Sequence, residues 1–350
     1  MAQTAQDALR RLTREGELYD KEGGGQVRCQ ACAHECRIAP GRTGICRTRF
    51  NRDGRLMVPY GYVAGLSVDP IEKKPFFHVL PGARTLSFGM LGCNFTCAFC
   101  QNWLSSQAPR DPQAGVEIQE CGPQELAQRA KAAGAQVLVS TYNEPLITSE
   151  WAAEVFRTGR ASGLRGAFVS NGHATRRVLE YLRPVTDFYK VDLKCFDPAK
   201  YREITGGDMR HVLRSIADLK ELGYWVEVVT LVIPGWNDSD KELRALAAFL
   251  AGVSRDLPWH VTAYHQDYRM DEARATPAET LLRAAQIGKS EGLRFVYAGN
   301  LPGLLDGLED TFCPGCGTRL IERRGFTVLA NRIAQGNCPQ CAAAIPGVWT

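Results

Sequence analysis

The sequence predicts an α/β chain whose centre, residues 81–302, is a partial (β/α)6 barrel flanked by small cysteine-rich metal-binding segments at 1–80 and 303–350. Three observations carry this. Short apolar, β-branched runs alternate with segments of helical periodicity from Thr85 onward, the pattern of a parallel sheet with crossover helices. Successive strands end in polar residues, where a (β/α) barrel gathers its site. Eleven of the 13 cysteines fall in three tight groups, and bunching at gaps of two or three residues marks metal sites rather than disulfide frameworks.

The expected strands are 86–91, 136–140, 166–170, 188–193, 225–233 and 260–264, with 294–298 as a further candidate. The intervening helices are expected at 123–133, 149–162, 175–182, 209–222, 241–251 and 277–291. About six such units suit a partial barrel better than a full eight-unit one, although an open doubly wound sheet has the same periodicity. The segment 1–80 reads as irregular, with the turn Asn51-Arg52-Asp53-Gly54. Residues 303–350 carry short strand-like runs between two cysteine pairs.

Composition narrows the class. Hydrophobic content of 45% and charged content of 23% are those of a soluble globular protein. The net charge of +4 permits an anionic substrate but does not point to nucleic acid; Lys73-Lys74 and Arg319, Arg323 and Arg324 read first as solvated faces. No apolar stretch reaches the ~18 residues of a membrane span. Residues 1–18 are polar and lack the apolar core of a signal peptide, so a cytoplasmic location is expected.

Each cysteine group has its own chemistry. Cys93, Cys97 and Cys100 form C-x3-C-x2-C directly after the first strand. Three thiolates hold three irons of a [4Fe–4S] cube and leave the fourth for something else, since such clusters ordinarily take four cysteines. Phe99 is placed to cover a flat ring such as adenine. A chance triplet and a zinc site short of one ligand are the alternatives, and the strand preceding the loop argues against both. Cys313, Cys316, Cys338 and Cys341 make two C-P-x-C knuckles that supply a closed, structural zinc site. Cys29, Cys32, Cys36 and Cys46 suit either zinc or an auxiliary Fe–S cluster, with zinc favoured. His34 is read as a neighbour of that group, and Cys121 and Cys195 as packing residues.

Among the strand ends, Asn143, Glu144, Asn171, Asp192, Lys194 and His265 are candidate ligand contacts. Turns and an internal salt bridge are the simpler reading of each; with the polar end Pro234-Gly235-Trp236-Asn237-Asp238 of the strand at 225–233, recurrence on five strands is what favours a site.

The matches extend beyond one loop. The chain resembles the radical S-adenosylmethionine (SAM) component of the AmmeMemoRadiSam system, itself similar to pyruvate formate-lyase activating enzymes. The resemblance rests on Cys29 through Cys36, Asp69-Pro70-Ile71-Glu72-Lys73-Lys74-Pro75 and Gly92-Cys93 through Cys100-Gln101-Asn102. It continues in Thr141-Tyr142-Asn143-Glu144-Pro145, Val191-Asp192-Leu193-Lys194 and the ribbon Cys313–Val348. It implies a [4Fe–4S] cluster whose open iron is chelated by SAM, reduced by an external one-electron donor, with release of a 5′-deoxyadenosyl radical that abstracts hydrogen. Glu144 is then expected at the SAM ammonium, Asp192, Lys194 and Asn171 at its ribose or carboxylate, and His265 at the nucleoside. AMMECR-like and Memo-like proteins are the implied partners.

One departure stands out. Activating enzymes carry glycine-glycine-glutamate where this chain has Tyr142-Asn143-Glu144, which weakens the transfer of an activase function. A glycyl-radical activase and a non-catalytic zinc-binding interaction module are the alternative functions.

Overall fold

The computed structural model describes residues 9–270, 273–305 and 307–350; the first eight residues of the N-terminal segment lie outside the described residues. Its centre is one eight-stranded sheet. In chain order the strands are β1 (Gly65–Pro70), β2 (Arg84–Gly89), β3 (Val137–Ser140), β4 (Arg165–Ser170), β5 (Phe188–Asp192), β6 (Trp225–Val232), β7 (Trp259–Ala263) and β8 (Val296–Gly299). They lie side by side in sequence order. Strands β2 to β8 pair in parallel, and β1 adds an antiparallel edge with Gly65 opposite Gly89. The fold is therefore α/β with a mostly parallel sheet, as the periodicity predicts, and the 294–298 candidate is its last strand.

Burial on both faces explains the composition of these strands. All four residues of β3 and all five of β7 are buried, so their apolar runs are continuous rather than alternating. Several helices between strands start on side-chain caps. Thr175 accepts from Val178 N, Asp197 from Ala199 N and Lys200 N, and Ser239 from Glu242 N. Such caps satisfy N–H groups that the first helical turn leaves unpaired.

Three features depart from the sequence expectation. Strand β1 was placed in the irregular N-terminal segment, because an edge strand with mixed burial gives little periodic signal. The eight-residue helix Pro198–Thr205 was not expected, since it buries only Tyr201 and Thr205. The N-terminal segment also holds two three-stranded sheets: Thr13–Glu15, Arg55–Pro59 and Phe50–Arg52, then Tyr19–Lys21, Val27–Cys29 and Arg37–Ile38.

The C-terminal ribbon (Thr311–Phe312, Arg319–Arg324 and Thr327–Asn331) docks on the N-terminal end of the sheet. Glu227 there accepts from Phe77 N, His78 N and Trp225 Nε1, and meets His260 Nε2 at 2.7 Å. His78 in turn bridges Tyr297 OH and the Pro346 carbonyl, each at 2.6 Å. Arg323 donates to the Phe77 carbonyl at 2.7 Å and pairs with Glu72 at 3.6 Å, both side chains wholly buried. This polar floor fixes one end of the sheet and leaves the other for the site. Among the described residues, no helix is long and apolar enough to cross a membrane.

Candidate active site

Strand ends create the cavity. In a parallel sheet the carboxyl ends lie together, so the loops leaving β2 to β5 converge beside residues of β6 and β7. There they line a cavity of about 420 Å³, within the size range of small-molecule sites. Cys93, Cys97 and Cys100 form one wall, and Asn143, Glu144, Asn171, Asp192, Lys194 and Phe99 all contribute to the others. The structure thus brings together every expected contact except His265. That histidine is exposed, lies outside the cavity lining, and bonds Gln101 Nε2 at 3.0 Å from behind.

The cysteine loop is braced on both sides. Phe95 N donates to Cys93 Sγ at 3.3 Å, and Cys100 Sγ lies 3.2 Å from Ser106 Oγ. Thr96 N donates to the Thr205 carbonyl at 2.9 Å, so the short helix missed in the sequence holds the loop down. Burial pushes the Cys97 thiol up to about 12 against the opposing pull of Lys194. Buried thiols of this kind become ligands when a metal displaces their protons. Three sulfurs and no fourth cysteine line the cavity, so the donor set fits a [4Fe–4S] cluster with one iron left open.

Glu144 is the hinge of the opposite wall. Its Oε1 accepts from Leu146 N at 3.0 Å and Ser170 Oγ at 2.7 Å, and its Oε2 accepts from Asn171 N at 2.7 Å. An ionised carboxylate has about four acceptor positions, so one on Oε2 is left for a ligand cation. Burial raises this carboxyl to about 7, against those three hydrogen bonds.

Strand β5 supplies the charged wall. Residues two apart on a strand share a face, which puts Lys190, Asp192 and Lys194 in one row. Asp192 Oδ1 meets Lys190 Nζ, and Asp192 Oδ2 accepts from Lys194 Nζ at 2.8 Å. Burial works to raise the Asp192 carboxyl, but the two ammonium groups outweigh it and hold it down to about 2. Lys190 was missed in the sequence, although its two-residue offset from Asp192 was the available signal. Phe99 is buried against Trp236, with ring centroids 5.3 Å apart and Lys194 Nζ 6.0 Å from its face.

Two expected contacts are already engaged. Asn143 Oδ1 accepts from Met90 N at 3.0 Å, tying β3 to β2. Asn171 Nδ2 donates to Asn94 Oδ1 at 2.7 Å, joining the cysteine loop to the end of β4. Both line the cavity while holding its walls together.

Tyr142 accounts for the departure from glycine-glycine-glutamate. Its φ is +72°, the left-handed conformation glycine adopts freely and a tyrosine rarely does. Gly65 and Gly89 make room for it: a Cβ on Gly89 would lie 2.9 Å from Tyr142 Cβ, and one on Gly65 3.3 Å from Tyr142 Cδ2. The tyrosine ring also receives Lys74 Nζ at 4.8 Å from its centroid, and Lys74 pairs with Asp69 at 2.8 Å. Lys74 is therefore a buried cavity residue, not part of a solvated face.

The C-terminal cysteines close to metal-binding dimensions. Cys313, Cys316, Cys338 and Cys341 place their sulfurs within 4.8 Å of one another. The Cys313–Cys341 and Cys316–Cys338 pairs stand at 3.6 and 3.7 Å, as four thiolates about one small ion would.

The profile of the radical SAM superfamily matches residues 89–247, which include the cysteine loop, Glu144 and the row on β5. The uncharacterized protein MJ0808 of Methanocaldococcus jannaschii is 36% identical over 336 residues, spanning 95% of this chain and 98% of that protein. Pyruvate formate-lyase 1-activating enzyme of Escherichia coli is 25% identical over 236 residues, 62% of this chain and 93% of that enzyme. Among solved structures, a radical SAM methyltransferase from Sphaerobacter thermophilus superposes with a TM-score of 0.49 at 17% identity, covering 68% of this chain and 71% of that one. With its three-cysteine cavity wall and near full-length similarity to the Methanocaldococcus jannaschii protein, the chain belongs to that protein's family, within the radical SAM superfamily.

Proposed function

We propose that the protein binds a [4Fe–4S] cluster through Cys93, Cys97 and Cys100 and reductively cleaves SAM. The observation that carries this reading is the meeting of three thiols, and no fourth, with a buried carboxylate across one cavity. When bound, the cluster and SAM supply one-electron cleavage of the S–C5′ bond, giving methionine and a 5′-deoxyadenosyl radical for hydrogen abstraction.

The chain's own residues bind and orient. Glu144 offers its remaining acceptor position to the SAM ammonium. Lys194 pairs with the carboxylate, Asp192 accepts from ribose hydroxyls, and Phe99 covers the adenine. Asn143 and Asn171 keep the walls at fixed separation, which is how a site turns binding into orientation. Apolar residues of β6, Val229 and Leu231, line the same space and limit the water and competing hydrogen donors near the reacting carbon. His265 acts on the nucleoside only through Gln101.

An external one-electron reductant is required. The motif set from Cys29 to Val348 supports membership of the AmmeMemoRadiSam system, with AMMECR-like and Memo-like proteins as partners in the cytoplasm. The C-terminal cysteines take structural zinc on this reading, because a closed four-sulfur site leaves no position for substrate. The similarity to an activating enzyme keeps a glycyl-radical activase as the second reading. Against it, Tyr142 retains the glycine-like backbone angle but fills the space beside that backbone with its ring.

Electron paramagnetic resonance of the anaerobically reconstituted, dithionite-reduced protein tests the proposal. The expected result is a reduced-cluster signal with a component that changes shape on SAM addition, and that SAM-responsive component is lost in Cys97→Ser. A signal indifferent to SAM would overturn it.

A further inference from the structure

We propose that Cys29, Cys32, Cys36 and Cys46 hold a second iron–sulfur cluster, packed directly behind the loop of the first. The sequence left this group between zinc and a cluster and favoured zinc. Geometry favours the cluster. Three of the four thiols are buried and Cys36 is half-buried.

Polar donors surround the group. Ile45 N donates to Cys36 Sγ at 3.5 Å, and Thr48 Oγ1 donates to Cys46 Sγ at 3.3 Å. Arg49 is 1% exposed and lies within electrostatic reach of Cys29, Cys36 and Cys46. One of its nitrogens meets the buried Glu150, while Nε and Nη1 are buried without a hydrogen-bond partner. A buried guanidinium with two idle donors in the neighbourhood of thiols is placed for sulfur that carries negative charge, as metal-bound thiolate does.

Spacing decides which metal. Among the described residues, the C-terminal four are the group whose ligand atoms all fall within 4.8 Å, the spacing one tetrahedral ion demands. The N-terminal four are not drawn so close, and neither are Cys93, Cys97 and Cys100. A cube holds its thiolates further apart, because each binds a different iron. The N-terminal group therefore shares with the radical SAM loop a departure from the closed spacing of the ribbon, while Cys32 still lies within electrostatic reach of Cys29, Cys36 and Cys46.

The two groups are contiguous. A Cβ on Gly92, the residue before Cys93, would lie 2.5 Å from Thr48 Cγ2 and 3.3 Å from the Cys46 carbonyl oxygen. Arg110 donates to the Ile45 carbonyl and, at 3.4 Å, to the Phe95 carbonyl, fastening one cysteine loop to the other.

The test uses the full chain carrying Cys93→Ser, Cys97→Ser and Cys100→Ser together, produced and reconstituted anaerobically with iron and sulfide. The proposal expects about four irons and four sulfides per chain to remain, with about one zinc. Adding Cys36→Ser, the half-buried position, should remove that iron and leave the zinc. Should the triple variant fail to fold, Mössbauer spectra of the wild type serve instead: about eight irons, half of them unchanged by SAM. About two zincs and no iron in the folded triple variant, or about four irons in the wild type, would overturn the proposal. Because the triple variant lacks the radical SAM cysteines, retention of its iron does not depend on whether SAM is cleaved, so the two readings fail separately.

Discussion

Glu144 is where the chemistry of one residue is most exposed to measurement. Its carboxyl ordinarily titrates at 4.5, and burial raises it to about 7. Below pH 4.5 both folded and unfolded chains hold the proton. Between there and 7 only the folded chain does, so the stability this group contributes is lost as pH rises through 7. A bound ammonium reverses the preference by favouring the carboxylate. SAM affinity, measured by calorimetry between pH 5.5 and 7.5, should therefore climb by up to about tenfold per pH unit and level near 7. Glu144→Gln should bind weakly and flatten the profile; an unchanged profile would remove Glu144 from the ammonium. Tyr142 gives a second residue-scale prediction. A left-handed backbone costs a non-glycine residue about 1–2 kcal/mol. Tyr142→Gly should therefore be more stable than Tyr142→Ala by about 1 kcal/mol in urea titrations, reversing the usual order of the two substitutions. The sequence shows the departure from glycine here. It cannot show that Gly65 and Gly89, distant along the chain, open the space that makes the tyrosine tolerable.

At the scale of elements, the ribbon and the sheet floor act as one unit. Arg323 reaches from the ribbon to Glu72 and the Phe77 carbonyl, and the Pro346 carbonyl accepts from His78 Nδ1. Removing one partner of a wholly buried ion pair leaves the other charge unpaired, which costs about 3–5 kcal/mol. Arg323→Ala should lose stability on that scale in chemical denaturation, and Arg319→Ala, whose side chain is half-exposed, should lose less than about 1 kcal/mol. Chelating the ribbon metal should lower the thermal midpoint of the whole chain, since the ribbon's contacts support the floor. A separate, earlier ribbon transition with an unmoved sheet would contradict that coupling. The cysteine spacing made the ribbon legible in the sequence. Its docking was not legible, because Glu227, His78 and His260 read as scattered polar residues until the strands stand side by side.

For the molecule as a whole, the strand-helix alternation was visible because both strand faces are buried and β-branched residues mark them. The antiparallel β1 and the helix Pro198–Thr205 were not visible, since neither buries enough apolar surface to leave a period. Within the site, residues carried by a motif or a strand end were found in advance. The place of Lys74 in the cavity emerges only from the way the sheet folds, Lys190 had its offset from Asp192 as its one sequence signal, and His265 shows the converse, a polar strand end turned outward. On the proposed function, three cysteines and a buried carboxylate make one site for SAM cleavage. Release of 5′-deoxyadenosine from SAM by the anaerobically reconstituted, dithionite-reduced protein tests it most directly. Release should require reductant and vanish in Cys97→Ser; a protein loaded with iron and sulfide that binds no SAM and releases no 5′-deoxyadenosine would rule this site out.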